Sequence, residues 1–355
     1  MKHSYLLVGI KAGRFISMIT RNKGFSCKHI FKVLFLLNAG IWSGIFSIVE
    51  KRKYKNKINS TNKLKPPVFI VGNWRTGTTF LHQLLSVDYQ FTTPTVFKVS
   101  NPDHFLVSKK YYIPIMSKVL GNKRPMDNVK IGIDEPQEDE YALLKMCKNL
   151  PLEKLIFQKG EKFFLDGYND FVPENEQEFM KALQLLAKKL SVESDKKALF
   201  KNPFHSLRIP LLQKNFPEAK FIHIYRDPND VIPSAMHMWN IVGSQNILKG
   251  NWVSPTVISL SELYKKIIIS VRQQLKKLGN NQSIEIKFEH LEKNPIDCIE
   301  NIYQKLDMKF TSEYKNNLIN YCNDLNDYKK NKYNVNDNDK KQIKEILFDT
   351  IPEYF

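Results

Sequence analysis

Residues 68–80 read VFIVGNWRTGTTF, and the reading of this stretch decides the fold. Four apolar residues, a glycine, four more residues and then Gly-Thr-Thr outline a strand, a phosphate-cradling loop and a helix. VFIVG (68–72) is a continuous apolar run of the kind buried on both faces of a parallel sheet, and TTFLHQLLS (78–86) follows with helical spacing. A strand that ends in glycine and opens a helix aims backbone N–H groups, and the positive end of the helix, at an anion. A loop built for a nucleoside triphosphate carries a lysine directly after its second glycine. Thr78 stands there instead, and the cation, Arg75, comes two residues before that glycine.

Outward from this loop the pattern alternates strand and helix. Helical spacing recurs at 136–148, 173–190, 210–216, 259–278 and from Pro295 to Leu306. Short apolar strands fall at 197–200, 220–225 and 283–288. Strands separated by helices imply right-handed crossovers and a mostly parallel sheet covered on both faces, an α/β three-layer sandwich.

Three further stretches carry chemistry. In FIHIYRDPNDVIPSAM (221–236), Arg226 follows the carboxyl end of a buried strand, where open α/β sheets bind ligands. Pro228 opens a helix and Ser234 lies about two turns along it, so arginine and hydroxyl suit a second phosphate group. The alternative is an ion pair of Arg226 with Asp227 or Asp230. In KALFKNPFH (197–205), Lys201 sits past another strand end, with His205 four residues on. A lysine there neutralises charge on a leaving oxygen and a histidine takes a proton; the alternative is a surface lysine and a structural histidine. In DEPQEDEYALL (134–144), Pro136 reads as the first residue of a helix, with Glu138 and Glu140 in its first turns. They serve either the helix dipole or a proton-accepting role.

Composition narrows the class. Of 355 residues 42% are hydrophobic and 25% charged, as in an ordinary globular protein with one large domain or two smaller ones. The net charge of +18 fits an anionic partner or a lysine-rich solvated surface, and nucleic-acid binding would rest on charge alone. Because lysine is the default cation, the eight arginines mark places that need a planar fork, and Arg75 and Arg226 both fall in motifs. The four cysteines lie far apart without a CxxC pair, which predicts free thiols in a reducing, cytoplasmic compartment and no zinc site. Two sequons, at Asn59 and Asn281, would instead put the catalytic part in a secretory lumen.

The first 65 residues differ from the rest and are expected to form a basic segment ahead of a domain spanning 66–355. FKVLFLLNAGIWSGIFSIVE (31–50) precedes KRKYKNK (51–57). A helix over 31–49 reaches about 28 Å at 1.5 Å per residue, enough to cross a bilayer core. Ala39, Gly40, Ser43, Gly44 and Ser47 gather on one side, suited to close helix packing. The segment is either a membrane-associated element or a helix buried against the catalytic domain.

In this order and spacing the stretches resemble the sulfotransferase family that uses 3′-phosphoadenosine 5′-phosphosulfate (PAPS), in its bacterial-type branch, with a fold related to P-loop nucleotide triphosphatases. VGNWRTGTTFLHQLL resembles its 5′-phosphosulfate loop and YRDPNDVIPSA its 3′-phosphate motif; KNPFH, FPEAKFIHIYRDP, PQEDEYAL, IKFEHLEKNPIDCIENIYQKLDM and KKNKYNV are similar to further family segments. The resemblance covers about 66–340. It implies that Arg75, Thr76, Gly77, Thr78, Thr79 and Phe80 bind the 5′ end of PAPS, that Arg226 and Ser234 bind its 3′-phosphate, and that Lys201 stands near the bridging oxygen. It also implies transfer to a hydroxyl of a carbohydrate, lipid or small alcohol without a metal. The base is open. In the cytosolic branch a histidine follows the lysine by two residues; here position 203 is proline and His205 comes later, with Glu138 and Glu140 as rivals. Residues 91–135 are expected to line the acceptor pocket. The competing readings are a small-molecule kinase on the same type of sheet, which would want a loop lysine and a strand-end aspartate for Mg²⁺, and a non-catalytic, membrane-attached relative.

Overall fold

The computed structural model describes residues 6–61, 64–119, 132–157, 171–324 and 335–355. Residues 120–131 of the expected acceptor-pocket stretch, and all but the last residue of KKNKYNV, lie outside the described residues. The chain divides into two units. One comprises Met1–Leu64, Pro94–Asp195 and Asn240–Val253, the other Lys65–Thr93, Lys196–Trp239 and Ser254–Phe355.

The second unit holds the sheet. Strands β1 (Val68–Val71), β2 (Phe91–Thr92), β3 (Lys197–Lys201), β4 (Lys220–Tyr225) and β5 (Ser283–Lys287) pair in the order β2-β3-β1-β4-β5, every pairing parallel. From β1 the chain lays β2 and β3 on one side, then returns to put β4 on β1's other side. At that reversal the carboxyl ends of β1, β3 and β4 lie together, the place where open α/β sheets bind ligands. β1 is buried throughout, which explains its unbroken apolar run. Its alternate residues feed two faces. Val68 and Ile70 join a core with Leu81, Leu84 and Ile222. Phe69 is flanked by Phe200 of β3 and Phe221 of β4, ring centroids 5.5 and 5.4 Å away, a cross-strand aromatic row set by register. Within the same core the Asp88 carboxylate accepts from the Tyr303 hydroxyl at 2.5 Å, and the Tyr314 hydroxyl donates to the Leu84 carbonyl at 2.9 Å.

β4 and the helix Thr78–Ser86 form with the expected bounds. Two expectations need correction. Pro136 does not open a helix: it bridges Thr95 in antiparallel fashion, and the Gln137 N–H donates to the Pro94 carbonyl. Pairing with 94–97 holds this segment extended, so the helix starts only at Glu140. Phe288 likewise does not end a strand; it opens the helix Phe288–Lys293.

In the first unit the apolar segment becomes one long helix, Ile30–Ser60. The stretch Cys27–Ser60 is long and apolar enough to cross a membrane by length and composition, a test that core helices also pass. Its buried positions Val33, Leu36, Gly40, Ser43, Ser47 and Glu50 step by three and four residues, one continuous seam. Three of the small residues singled out in the sequence lie in that seam. A Cβ on Gly40 would meet the backbone of Ile10 and Ala12 at 2.7 Å, so glycine permits this helix crossing. At the seam's end Glu50 pairs with Lys189 at 2.5 Å, both almost wholly buried, and accepts from the Leu106 N–H at 2.8 Å. Lys189 also donates to the Pro102 carbonyl and lies 4.3 Å above the Phe105 ring. Burial pushes the Glu50 carboxyl up and the Lys189 ammonium down, against their mutual attraction.

Such a pair is costly to break from one side. Lys189→Met should lower unfolding free energy by about 3–5 kcal/mol in urea titrations. Adding Glu50→Gln, which retains an acceptor for Leu106, should restore part of it. A loss below about 1 kcal/mol, the size expected of a surface pair, would show that this contact does not hold the helix.

Candidate active site

The loop begins where β1 ends. Gly72 has φ +148°, and a Cβ there would run into the Ile224 carbonyl of β4. Glycine is therefore required both by its backbone angle and by close approach. Its N–H donates to the Ser206 hydroxyl at 2.9 Å, and that hydroxyl donates back to the Gly72 carbonyl at 3.0 Å. One side chain thus satisfies both backbone groups of the residue at which β1 stops.

Across the next five residues the chain turns tightly. The Thr76 hydroxyl donates to the Asn73 carbonyl at 2.8 Å. Arg75 adopts φ +71°, unusual for a residue with a side chain, and its Nε donates to the Ser234 hydroxyl at 2.8 Å. Gly77, at φ +91°, precedes the helix, and a Cβ on it would run into the Phe288 ring. The helical backbone ladder begins with Leu81 N–H on the Gly77 carbonyl at 3.1 Å. The N–H groups of Thr78, Thr79 and Phe80 thus belong to the first turn, which has no acceptor within its own helix. Thr78 is buried. The half-buried Phe80 packs against the hydrophobic core, so its ring serves the fold while its backbone serves the loop.

β4 ends in a similar clasp. The Arg226 N–H donates to the Tyr264 hydroxyl at 3.0 Å, and that hydroxyl donates to the Arg226 carbonyl at 2.7 Å. The guanidinium lies 4.5 Å from the centre of the Phe288 ring, so one ring touches both motifs. Arg226 does make the ion pair that the sequence offered as its alternative, 2.5 Å to Asp230. That carboxylate is mostly exposed, where such pairs contribute little. The buried Arg226 Nε has no protein acceptor among the described residues, a donor fit for an anion.

Lys201 ends β3 beside Ile70 of β1, buried, its Nζ 3.5 Å from the Thr79 hydroxyl. His82, under the loop, is pushed well below the ordinary imidazole range by burial and then by the Lys201 charge; it adds no charge of its own. His205 lies in the short turn Pro203–Leu207 that follows β3. Its ring is fully buried, with Phe69 edge-on at 5.5 Å. Loop, Arg226, Ser234 and Lys201 therefore gather at the carboxyl end of the sheet, and what they offer is fixed positive charge, N–H groups and hydroxyls. Glu138 and Glu140 are buried and belong to the other unit. Among the described residues no group of three or more histidine, cysteine, aspartate or glutamate side chains is arranged to hold a metal.

A family model described as the sulfotransferase family matches residues 66–312. The chain belongs to that family. It is a sulfotransferase, an enzyme of sulfuryl transfer, and the kinase reading falls. Omega-hydroxy-beta-dihydromenaquinone-9 sulfotransferase Stf3 of Mycobacterium bovis is 28% identical over 365 residues, covering 98% of this chain and 90% of that protein; the Mycobacterium tuberculosis protein of the same name matches equally. Among solved structures, sulfotransferase STF9 from Mycobacterium avium superposes with a TM-score of 0.69 at 16% identity, over 93% of this chain and 86% of that one. STF1 from Mycobacterium tuberculosis gives 0.61 at 13% identity, over 87% and 86%. These two likenesses establish the shared fold.

Three residues that shape the candidate site are absent from the sequence reading: Ser206, Tyr264 and Phe288. Ser206 and Tyr264 follow no spacing rule, since each acts through a fold-made contact with a distant strand tip. Phe288 had one signal, the end of an apolar run just before Glu-His-Leu. Removing either clasp, by Ser206→Ala or Tyr264→Phe, leaves buried backbone groups without partners. Each variant should lose about 1–3 kcal/mol of stability in denaturant titrations, whereas Ser60→Ala on an exposed helix end should change it little.

Proposed function

We propose that this sulfotransferase takes its sulfuryl group from PAPS and delivers it to a hydroxyl of an apolar, lipid-class acceptor. The donor reading is carried by the Arg75–Ser234 hydrogen bond, which brings together two cation-bearing strand tips on neighbouring strands. A ligand suited to both would have an anionic group at each end, as PAPS does at its 5′ and 3′ positions. The residues fit: the loop glycines leave the backbone bare, and the side chains aligned with it are donors.

PAPS, when bound, supplies a sulfuryl group already activated on phosphate. The chain supplies placement and fixed charge, which dominate when the transition state is loose and in line. The loop N–H groups, Arg75, Thr78 and Thr79 hold the 5′ end. Arg226 and Ser234 hold the 3′-phosphate, and Lys201 sets positive charge beside the departing oxygen. The acceptor hydroxyl gives up its proton as the new bond forms, and His205, Glu138 and Glu140 are the candidate bases.

The lipid-class acceptor is supported by the relatives that match nearly the whole chain and whose name specifies a hydroxylated menaquinone derivative. It is supported also by the apolar helix of the first unit.

Labelled-sulfate transfer from PAPS to fractionated extracts tests these assignments together. Label should appear in the organic phase, and Arg75→Ala and Arg226→Ala should each lower kcat/KM about 100-fold or more. Either Glu138→Gln or Glu140→Gln should lower kcat by about 100-fold or more while donor binding is retained. Full transfer by Arg226→Ala would remove the second cradle, and label confined to the aqueous phase would overturn the acceptor class.

A further inference from the structure

The long helix Ile30–Ser60 uses one seam, Val33 to Glu50, to pack into its own unit. The opposite face of a surface helix is ordinarily polar. Here Phe31, Leu34, Ile41, Trp42, Ile45 and Ile48 line it, all exposed, Phe31 by 83% and Trp42 by 55%. The band extends about 27 Å along the axis at 1.5 Å per residue. It stops at Val49, and the next turns change character at once: Lys51, Arg52, Lys53, Lys55 and Lys57 are all exposed. An apolar stripe of this length goes well beyond the scattered exposed side chains of a soluble monomer.

We propose that this face docks on the surface of an anionic lipid bilayer, with the helix lying in the interface plane and not crossing it. Two observations select that occupant. The cluster of five cations at the end of the stripe complements anionic headgroups, each contributing roughly fivefold to affinity near such a surface. The inward seam, in turn, forbids crossing: Gly40 is pressed on the backbone of Ile10 and Ala12, and Glu50 is ion-paired with Lys189. A spanning helix would have to surrender both contacts and turn Ser43, Ser47 and Glu50 toward hydrocarbon, where unpaired polar groups are costly. Lying flat, the helix keeps its seam and buries only the face that is already bare, as interfacial helices do. The inference stands apart from the donor and acceptor assignments, which sulfate transfer tests.

Co-sedimentation of the full chain with phosphatidylcholine vesicles, with and without phosphatidylglycerol, is the test. The wild-type chain should bind both and prefer the anionic vesicles at least about tenfold. Trp42→Glu with Ile45→Glu should abolish binding to both while the unfolding midpoint stays put. Lys51→Glu with Lys53→Glu should remove only the preference. In the unmodified chain brominated lipid should quench Trp42, and alkaline carbonate should strip the protein from membranes. Several results would overturn the proposal: no vesicle binding, binding indifferent to the Trp42 and Ile45 changes, resistance to carbonate, which marks a spanning helix, or self-association through this face without lipid, which marks a second copy as the occupant.

Discussion

The seating of Gly72 against the Ile224 carbonyl is the contact on which the site depends. Because β1 and β4 run parallel in a fixed register, that approach sets the separation between the loop after β1 and the arginine after β4. Any side chain at position 72 would force the strands apart at their carboxyl ends. The hydroxyls of Ser206 and Tyr264 then clamp the two ends separately, each closing both backbone groups of one residue. Rigidity at these carboxyl ends suits the chemistry proposed for the site, since sulfuryl transfer rewards fixed charge that need not reorganise as the bond breaks.

A second economy lies in the shared use of Phe288. Its ring fills the space that a Cβ on Gly77 would need and lies beside the Arg226 guanidinium. The loop's left-handed turn and the orientation of the distant arginine therefore answer to one side chain. In the first unit a comparable concentration occurs at Lys189, whose ammonium meets Glu50, the Pro102 carbonyl and the Phe105 ring. There the burial of charge fixes one helix face inward and so decides which face remains for other partners.

Much of this was legible in the chain. Continuous apolar runs are diagnostic where a strand is buried on both faces, and β4 has the expected bounds for that reason; the helix after the loop keeps its bounds through its apolar period. Reading failed where a long-range pairing overrode a local preference. Pro136 suits a helix start in isolation, yet its neighbours were claimed by 94–97. β2 is two residues long, too short for any periodicity to register, and only its pairing with β3 defines it.

The sequence by itself determined most of the elements and the donor-rich character of the motifs, because glycine spacing, apolar period and the rarity of arginine are local properties. It also determined that residues 31–49 form an apolar helix. Which face of that helix turns inward was settled by Glu50 finding Lys189, some 139 positions away. Strand order, the meeting of Arg75 with Ser234, and the clasps at Gly72 and Arg226 were decided only in three dimensions. They depend on contacts between segments more than a hundred residues apart, or on a hydroxyl whose partner is backbone. No local pattern encodes a backbone partner on a distant strand.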